Sequence, residues 1–155
     1  MRPDWDEYFI ELLQTIRTRS TCLRANHAAI IVRDNRIIAT GYNGAPSGQL
    51  HCSDLKSCYR QINNIPSGQQ YEKCRALHAE QNAILQCAKF GISCKDSTIY
   101  ITDVPCELCA KQILGAGIKN VVMATDSKRY CSNALHDLEI SGGRVRFVKG
   151  KENGN

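Results

Sequence analysis

The stretch Thr98-Ile99-Tyr100-Ile101-Thr102-Asp103-Val104-Pro105-Cys106-Glu107-Leu108-Cys109, continuing to Asn120-Val121-Val122-Met123-Ala124, decides the fold. A β-rich run gives way to a helix opened by Pro105 and closed by Gly115/Gly117. A second β-rich run follows, so the unit reads strand, helix, strand. Upstream, Leu77, Ala79, Ala83, Ile84, Cys87 and Ala88 mark a helix running from Arg75 to near Gly91. Before it, Ala29–Arg33 and Arg36–Gly41 flank Asp34-Asn35, a turn pair, and predict a hairpin. Trp5, Phe9, Leu12, Leu13 and Ile16 recur at helical spacing and predict a first amphipathic helix over about residues 4–18. Downstream, a helix over Cys131–Glu139 and a strand over Arg144–Val148 complete the set. Strands alternating with helices predict an α/β fold, a mixed sheet covered by helices. Between Asn43 and Tyr71 the breakers Gly44, Pro46, Gly48, Pro66 and Gly68 predict a long loop, which a compact domain must pin.

The chain has 155 residues, which predicts one domain over 1–150 and a frayed polar tail over 151–155. No run of apolar residues approaches a membrane span, and Met1-Arg2-Pro3-Asp4-Trp5 opens no signal peptide, so a cytoplasmic protein is expected. Nine cysteines without a secretory signal argue for reduced thiols, used for metal ligation or buried. The formal charge of +5 suits an anionic small molecule but also any soluble protein. No basic run or aromatic-interleaved basic stretch marks a nucleic-acid face.

Three fragments carry chemistry: His78-Ala79-Glu80, Pro105-Cys106-Glu107-Leu108-Cys109 and Gly41-Tyr42-Asn43-Gly44. Cys106 and Cys109 stand three apart at a helix start, where both sulfurs face one way and the helix dipole favours thiolate. His78 opens the preceding helix, so two helix N-termini can converge. Two thiolates and one imidazole fill three positions of a tetrahedral zinc and leave the fourth open for water. Glu80 is displaced in direction from His78 and is suited to reach that water as its proton acceptor. Either motif alone is weak. In this order, with proline before the cysteine pair, they match a signature already known for zinc nucleobase deaminases.

The chain resembles the deoxycytidylate deaminases of the cytidine deaminase-like superfamily. The resemblance rests on Thr21-Cys22-Leu23-Arg24, Ile37 through Gly48, Leu77 through Ile84, Pro105 through Ile113, and Ala116-Gly117-Ile118-Lys119. It implies a three-layer α/β/α fold on a central five-stranded mixed sheet. It implies that His78, Cys106 and Cys109 hold Zn2+ while a zinc-bound hydroxide attacks C4 of cytosine, with Glu80 as proton shuttle. The implied reaction turns deoxycytidine monophosphate into deoxyuridine monophosphate and ammonia, feeding thymidylate synthesis. Arg24, Asn43, Ala79 and Tyr130 are the implied substrate contacts. Relatives are commonly homohexamers activated by dCTP and inhibited by dTTP, with Mg2+ accompanying the triphosphate. That implies an effector site around Tyr42, Asn43 and Gly44.

Some relatives use the long loop for a structural zinc, which makes Cys22, Cys52, Cys58 and Cys74 candidate ligands of a second ion, with His51 as a further one. Cys87, Cys94 and Cys131 read as small apolar residues. Where members commonly carry Val-Gly-Ala, this chain has His27-Ala28-Ala29, which adds bulk and a titratable group beside the first strand. Two rival readings stand. One is a deaminase of another cytosine nucleoside or nucleotide. The other is a zinc-stabilised binding module without activity, against which an intact Glu80 argues.

Overall fold

The computed structural model describes residues 1–125 and 132–149. The strands are β1 Ala28–Arg33, β2 Arg36–Tyr42, β3 Thr98–Ile101, β4 Asn120–Met123 and β5 Arg144–Phe147. The helices are α1 Trp5–Ile16, α2 Cys52–Leu55, α3 Tyr59–Ile62, α4 Ala79–Phe90, α5 Glu107–Gly115 and α6 Ser132–Ile140. One sheet runs β2-β1-β3-β4-β5. β1 is antiparallel to both its neighbours, whereas β3, β4 and β5 are parallel, so the sheet is mixed. Asp34 and Asn35 take left-handed φ values of 51° and 55°, the backbone a two-residue type I′ hairpin needs.

Alternation along β1 sorts the core into two faces. Ala28, Ile30 and Val32 meet Phe9, Ile10 and Leu13 of α1, together with Tyr100 and Val122. Ala29 and Ile31 face the other way with Ile99, Ile101, Val121 and Met123. There they pack under Ala83 and Cys87 of α4, Ala110 and Ile113 of α5, and Leu138 of α6. Helix α1 covers one face and α4, α5 and α6 the other, giving three layers. At the head of α1, Asp4 Oδ1 accepts from Glu7 N at 2.8 Å and Glu7 Oε2 accepts from Asp4 N at 3.1 Å. This capping box satisfies two otherwise orphaned donors.

Three expectations need correction. The helix expected from Arg75 begins only at Ala79, because Leu77 and Gly44 exchange backbone hydrogen bonds of 2.9 and 3.2 Å that hold this entry extended. The loop after Asn43 is not featureless: α2, α3 and a 3₁₀ turn at Tyr71–Lys73 fold within it. Single turns are too short to show a helical period, which is why the pattern missed them. The first helix also ends earlier as an α-helix, passing into a 3₁₀ turn at Arg17–Arg19. Tyr130, Cys131 and the tail over 151–155 lie outside the described residues. No helix among the described residues is long and apolar enough to cross a membrane.

Candidate metal and acid–base site

Beyond β3 the chain passes through Thr102–Pro105 to α5, whose N-cap is Cys106, with extended φ −67° and ψ 163°. His78 is likewise the N-cap of α4, at φ −68° and ψ 159°. Of the two thiols placed at this helix start, Cys106 therefore precedes the first helical turn and Cys109 lies within it. Pro105 stands one residue further out. Both helix starts meet beyond the carboxyl end of β3, where open α/β sheets place their ligands. Gly41 permits the approach of α4: a Cβ there would collide with the carbonyl oxygen of Ala79 and lie 2.6 Å from Ala83 N.

His78 Nδ1 lies 3.5 Å from Cys106 Sγ and 3.3 Å from Cys109 Sγ. The three ligand atoms sit within 4.8 Å of one another. Tetrahedral bonds of ~2.0 Å to nitrogen and ~2.3 Å to sulfur place N and S about 3.5 Å apart, so this donor set fits zinc. The hydrogen bond from Cys109 holds the Cys106 thiol down to about 4, with His78 helping against the opposing effect of burial. Cys109 is pushed up by the same bond and by burial. Metal binding releases the protons of such thiols. His78 is raised: burial works against its charged form, but the bond to Cys106 and the charge of Glu80 outweigh it. Burial raises the Glu80 carboxyl above its usual range, with Cys106 and Asp103 adding to the rise and His78 opposing it.

His78, Glu80 and Cys106 line one cavity that opens to solvent. Arg24, Asn43, Ala79 and Glu80 all line it, as does His27. Arg24 Nη1 donates to Ile65 O at 3.0 Å. Asn43 is buried and works first as a brace: its Oδ1 accepts from His27 N at 2.8 Å and from Ser20 Oγ, and its Nδ2 donates to Ala25 O at 2.7 Å. His27 Nδ1 stands 3.3 Å from Thr102 Oγ1. The backbone of Tyr42 and Gly44 is tied to α4 by Asn82 Nδ2, at 2.8 Å to Tyr42 O and 3.3 Å to Gly44 O.

Two residues that carry no sequence signature, Tyr71 and Arg60, also line the cavity. The Tyr71 ring meets the His78 imidazole edge-on, with centroids 4.4 Å apart at 88°. The Arg60 guanidinium lies 5.0 Å from the Tyr71 centroid. Both arrive on the long loop, where no period or motif points to them. Cys52, Cys58, Cys74 and Cys22 share one neighbourhood: burial raises the Cys52 thiol, and the other three add to the rise. Among the described residues, however, only His78, Cys106 and Cys109 draw their ligand atoms within 4.8 Å. His51 Nδ1 is engaged with Thr21 Oγ1 at 2.9 Å and Ala45 N at 3.2 Å.

Comparison with known proteins places this geometry. Residues 3–125 match the family model of the cytidine and deoxycytidylate deaminase zinc-binding region. The deoxycytidylate deaminase of Mycobacterium phage D29 is 39% identical over 131 residues, covering 81% of this chain and 98% of the phage protein. ComE operon protein 2 of Bacillus subtilis is 43% identical over 129 residues, covering 83% of this chain but only 64% of that protein's length. The crystal structure of the dCMP deaminase of cyanophage S-TIM5 in complex with dCMP and dUMP superposes with a TM-score of 0.76. It is 28% identical, with coverage of 96% of this chain and 99% of that one.

Proposed function

The chain belongs to the cytidine and deoxycytidylate deaminase zinc-binding family, and from that premise we propose that it converts deoxycytidine monophosphate to deoxyuridine monophosphate and ammonia. The observation that carries the reading is the placement of Glu80. It stands in the first turn of α4, in the wall of the cavity, two residues from His78 and hydrogen-bonded to the Cys109 thiol. The S-TIM5 enzyme, similar along nearly its whole length, is a dCMP deaminase that has been crystallised with dCMP and dUMP.

His78, Cys106 and Cys109 would hold the ion. When bound, zinc supplies Lewis acidity that makes water acidic near neutral pH. Glu80 takes a proton from the attacking water and gives it to N3 of the base. It then delivers the second water proton to the amine leaving C4, so ring carbonyl and ammonia account for every atom. A carboxyl held above its usual range by burial is suited to both accepting and returning a proton. Asn43, with one Nδ2 hydrogen beyond its bond to Ala25, is the proposed sugar contact, and Ala79 the backbone wall against the base.

Glu80→Gln tests the assignment. Turnover of dCMP should fall at least ~100-fold, with zinc content unchanged by elemental analysis; retained turnover would overturn it. The loop thiols Cys22, Cys52, Cys58 and Cys74 are the proposed ligands of a second, structural zinc, supported by their shared neighbourhood. Nucleotide regulation through Tyr42, Asn43 and Gly44, with dCTP and Mg2+ activating and dTTP inhibiting, and assembly into a homo-oligomer belong to the same proposal. Ammonia release from dCMP with and without dCTP and Mg2+ checks the first, and sedimentation of the protein checks the second.

A further inference from the structure

We propose that Arg60 determines specificity for the substrate's 5′-phosphate, gripping it together with Arg24. The inference rests on the mononucleotide reading above and names which side chains make it. Arg60 lies on the single turn α3, within a loop whose sequence gives no reason to bury a cation, yet it is only 7% exposed. Arginine is almost never that buried without a partner. Among the described residues it forms no ion pair with a carboxylate; the ion pairs there are Lys111–Glu107 and Arg146–Asp6. Its Nη2 donates to Pro66 O at 3.0 Å, its face lies against Tyr71, and its buried Nε donates to nothing. A buried guanidinium with an unanswered donor is costly unless an anion meets it.

Arg24 is anchored beside it. Its Nη1 is anchored on Ile65 O, the carbonyl next to the one that holds Arg60. Two adjacent carbonyls therefore orient two guanidiniums on one wall of the cavity that also holds Glu80 and His78. Tyr71 touches both ends: the Arg60 guanidinium lies over its ring and the His78 ring packs perpendicular to it. Arg60 thus stands one aromatic ring's breadth from the His78 imidazole, in the cavity that Glu80 also lines. A nucleotide has the same polarity, with an anionic phosphate at one end and the amino group of its base at the other. Planar guanidinium forks match phosphate oxygens in charge and geometry.

The test compares dCMP with deoxycytidine as substrates, and dUMP with deoxyuridine as ligands in calorimetry, on the zinc-loaded enzyme. In Arg60→Met, the ratio of kcat/KM for dCMP over deoxycytidine should fall ~10–100-fold, the loss expected for a charge-assisted pair. The loss should appear in KM more than in kcat, and the dUMP-over-deoxyuridine affinity ratio should fall in step. Arg60→Lys should recover part of it, and Arg24→Met should move both ratios in the same direction. Unchanged ratios, with both members of each pair weakened together, would show that Arg60 only supports the loop and would overturn the inference. So would an altered response to dCTP with KM for dCMP intact, which would assign Arg60 to an effector phosphate. If the wild-type enzyme prefers another phosphorylated nucleotide, the substrate reading fails, and the Arg60 comparison is run on that nucleotide and its nucleoside.

Discussion

Cys106 and Cys109 stand three residues apart and meet the same imidazole, yet one thiol is driven down and the other up. Spacing in the chain makes them neighbours; the hydrogen bond between the two thiols splits them, and the Cys109 amide, donating to Cys106 Sγ at 3.5 Å, adds to the split. The same contrast sorts the rest of the site. His78, Glu80, Cys106 and Cys109 were legible because their relation is local, a matter of offsets at two helix starts. Arg60 and Tyr71 were not, because they come to His78 through a loop whose course depends on long-range contacts. Tyr100 shows a titration of a different kind. Its hydroxyl donates to Asp6 Oδ1 at 2.7 Å, and burial first, then that bond, pushes its phenol up. The fold favours the neutral form, so its contribution is whole below the ordinary tyrosine range of ~10 and is lost as pH rises beyond it. Urea unfolding at pH 8 and pH 11 should show wild type losing more stability across that interval than Tyr100→Phe. At pH 8 the variant should be the weaker by about 1 kcal/mol.

At the scale of elements, the seat of α4 on β2 matters most. Gly41 offers no side chain where Ala79 O and Ala83 N press against the strand, and backbone cannot give way as a flexible side chain can. Gly41→Ala should lower Tm by several degrees and reduce bound zinc, because displacing α4 carries His78 and Glu80 with it; thermal unfolding and elemental analysis read both. Asp4→Ala is the matching control at a distance. Removing the cap of α1 should cost about 1 kcal/mol, or ~2–4 °C in Tm, with KM for dCMP unchanged. The hairpin was legible because Asp34-Asn35 is a chemical instruction for positive φ. The start of α4 was not, because the bridge between Leu77 and Gly44 joins segments far apart in sequence.

For the whole molecule, the existence of five strands and the α/β class followed from alternation, but the order β2-β1-β3-β4-β5 is set by packing between distant segments. That order puts β3 beside β1 and so brings the Cys106 loop against the cavity floor at Ala28 and Thr102. Metal should matter at this scale too. Two zinc ions per chain are expected, falling to one in Cys52→Ser, with the segment from Asn43 to Tyr71 then cleaved faster by protease. A wild-type stoichiometry of one would remove the second site. Two of the three candidate ligands, His78 and Cys106, are N-caps, residues that belong half to a helix and half to the chain before it. An ion held between them clamps the ends at which α4 and α5 would otherwise fray. Amide hydrogens in the first turns of these two helices should therefore exchange with solvent deuterium at a common rate while zinc is bound. Chelation should release both sets at once, so that the site serves as a shared latch on the breathing of two separate helices.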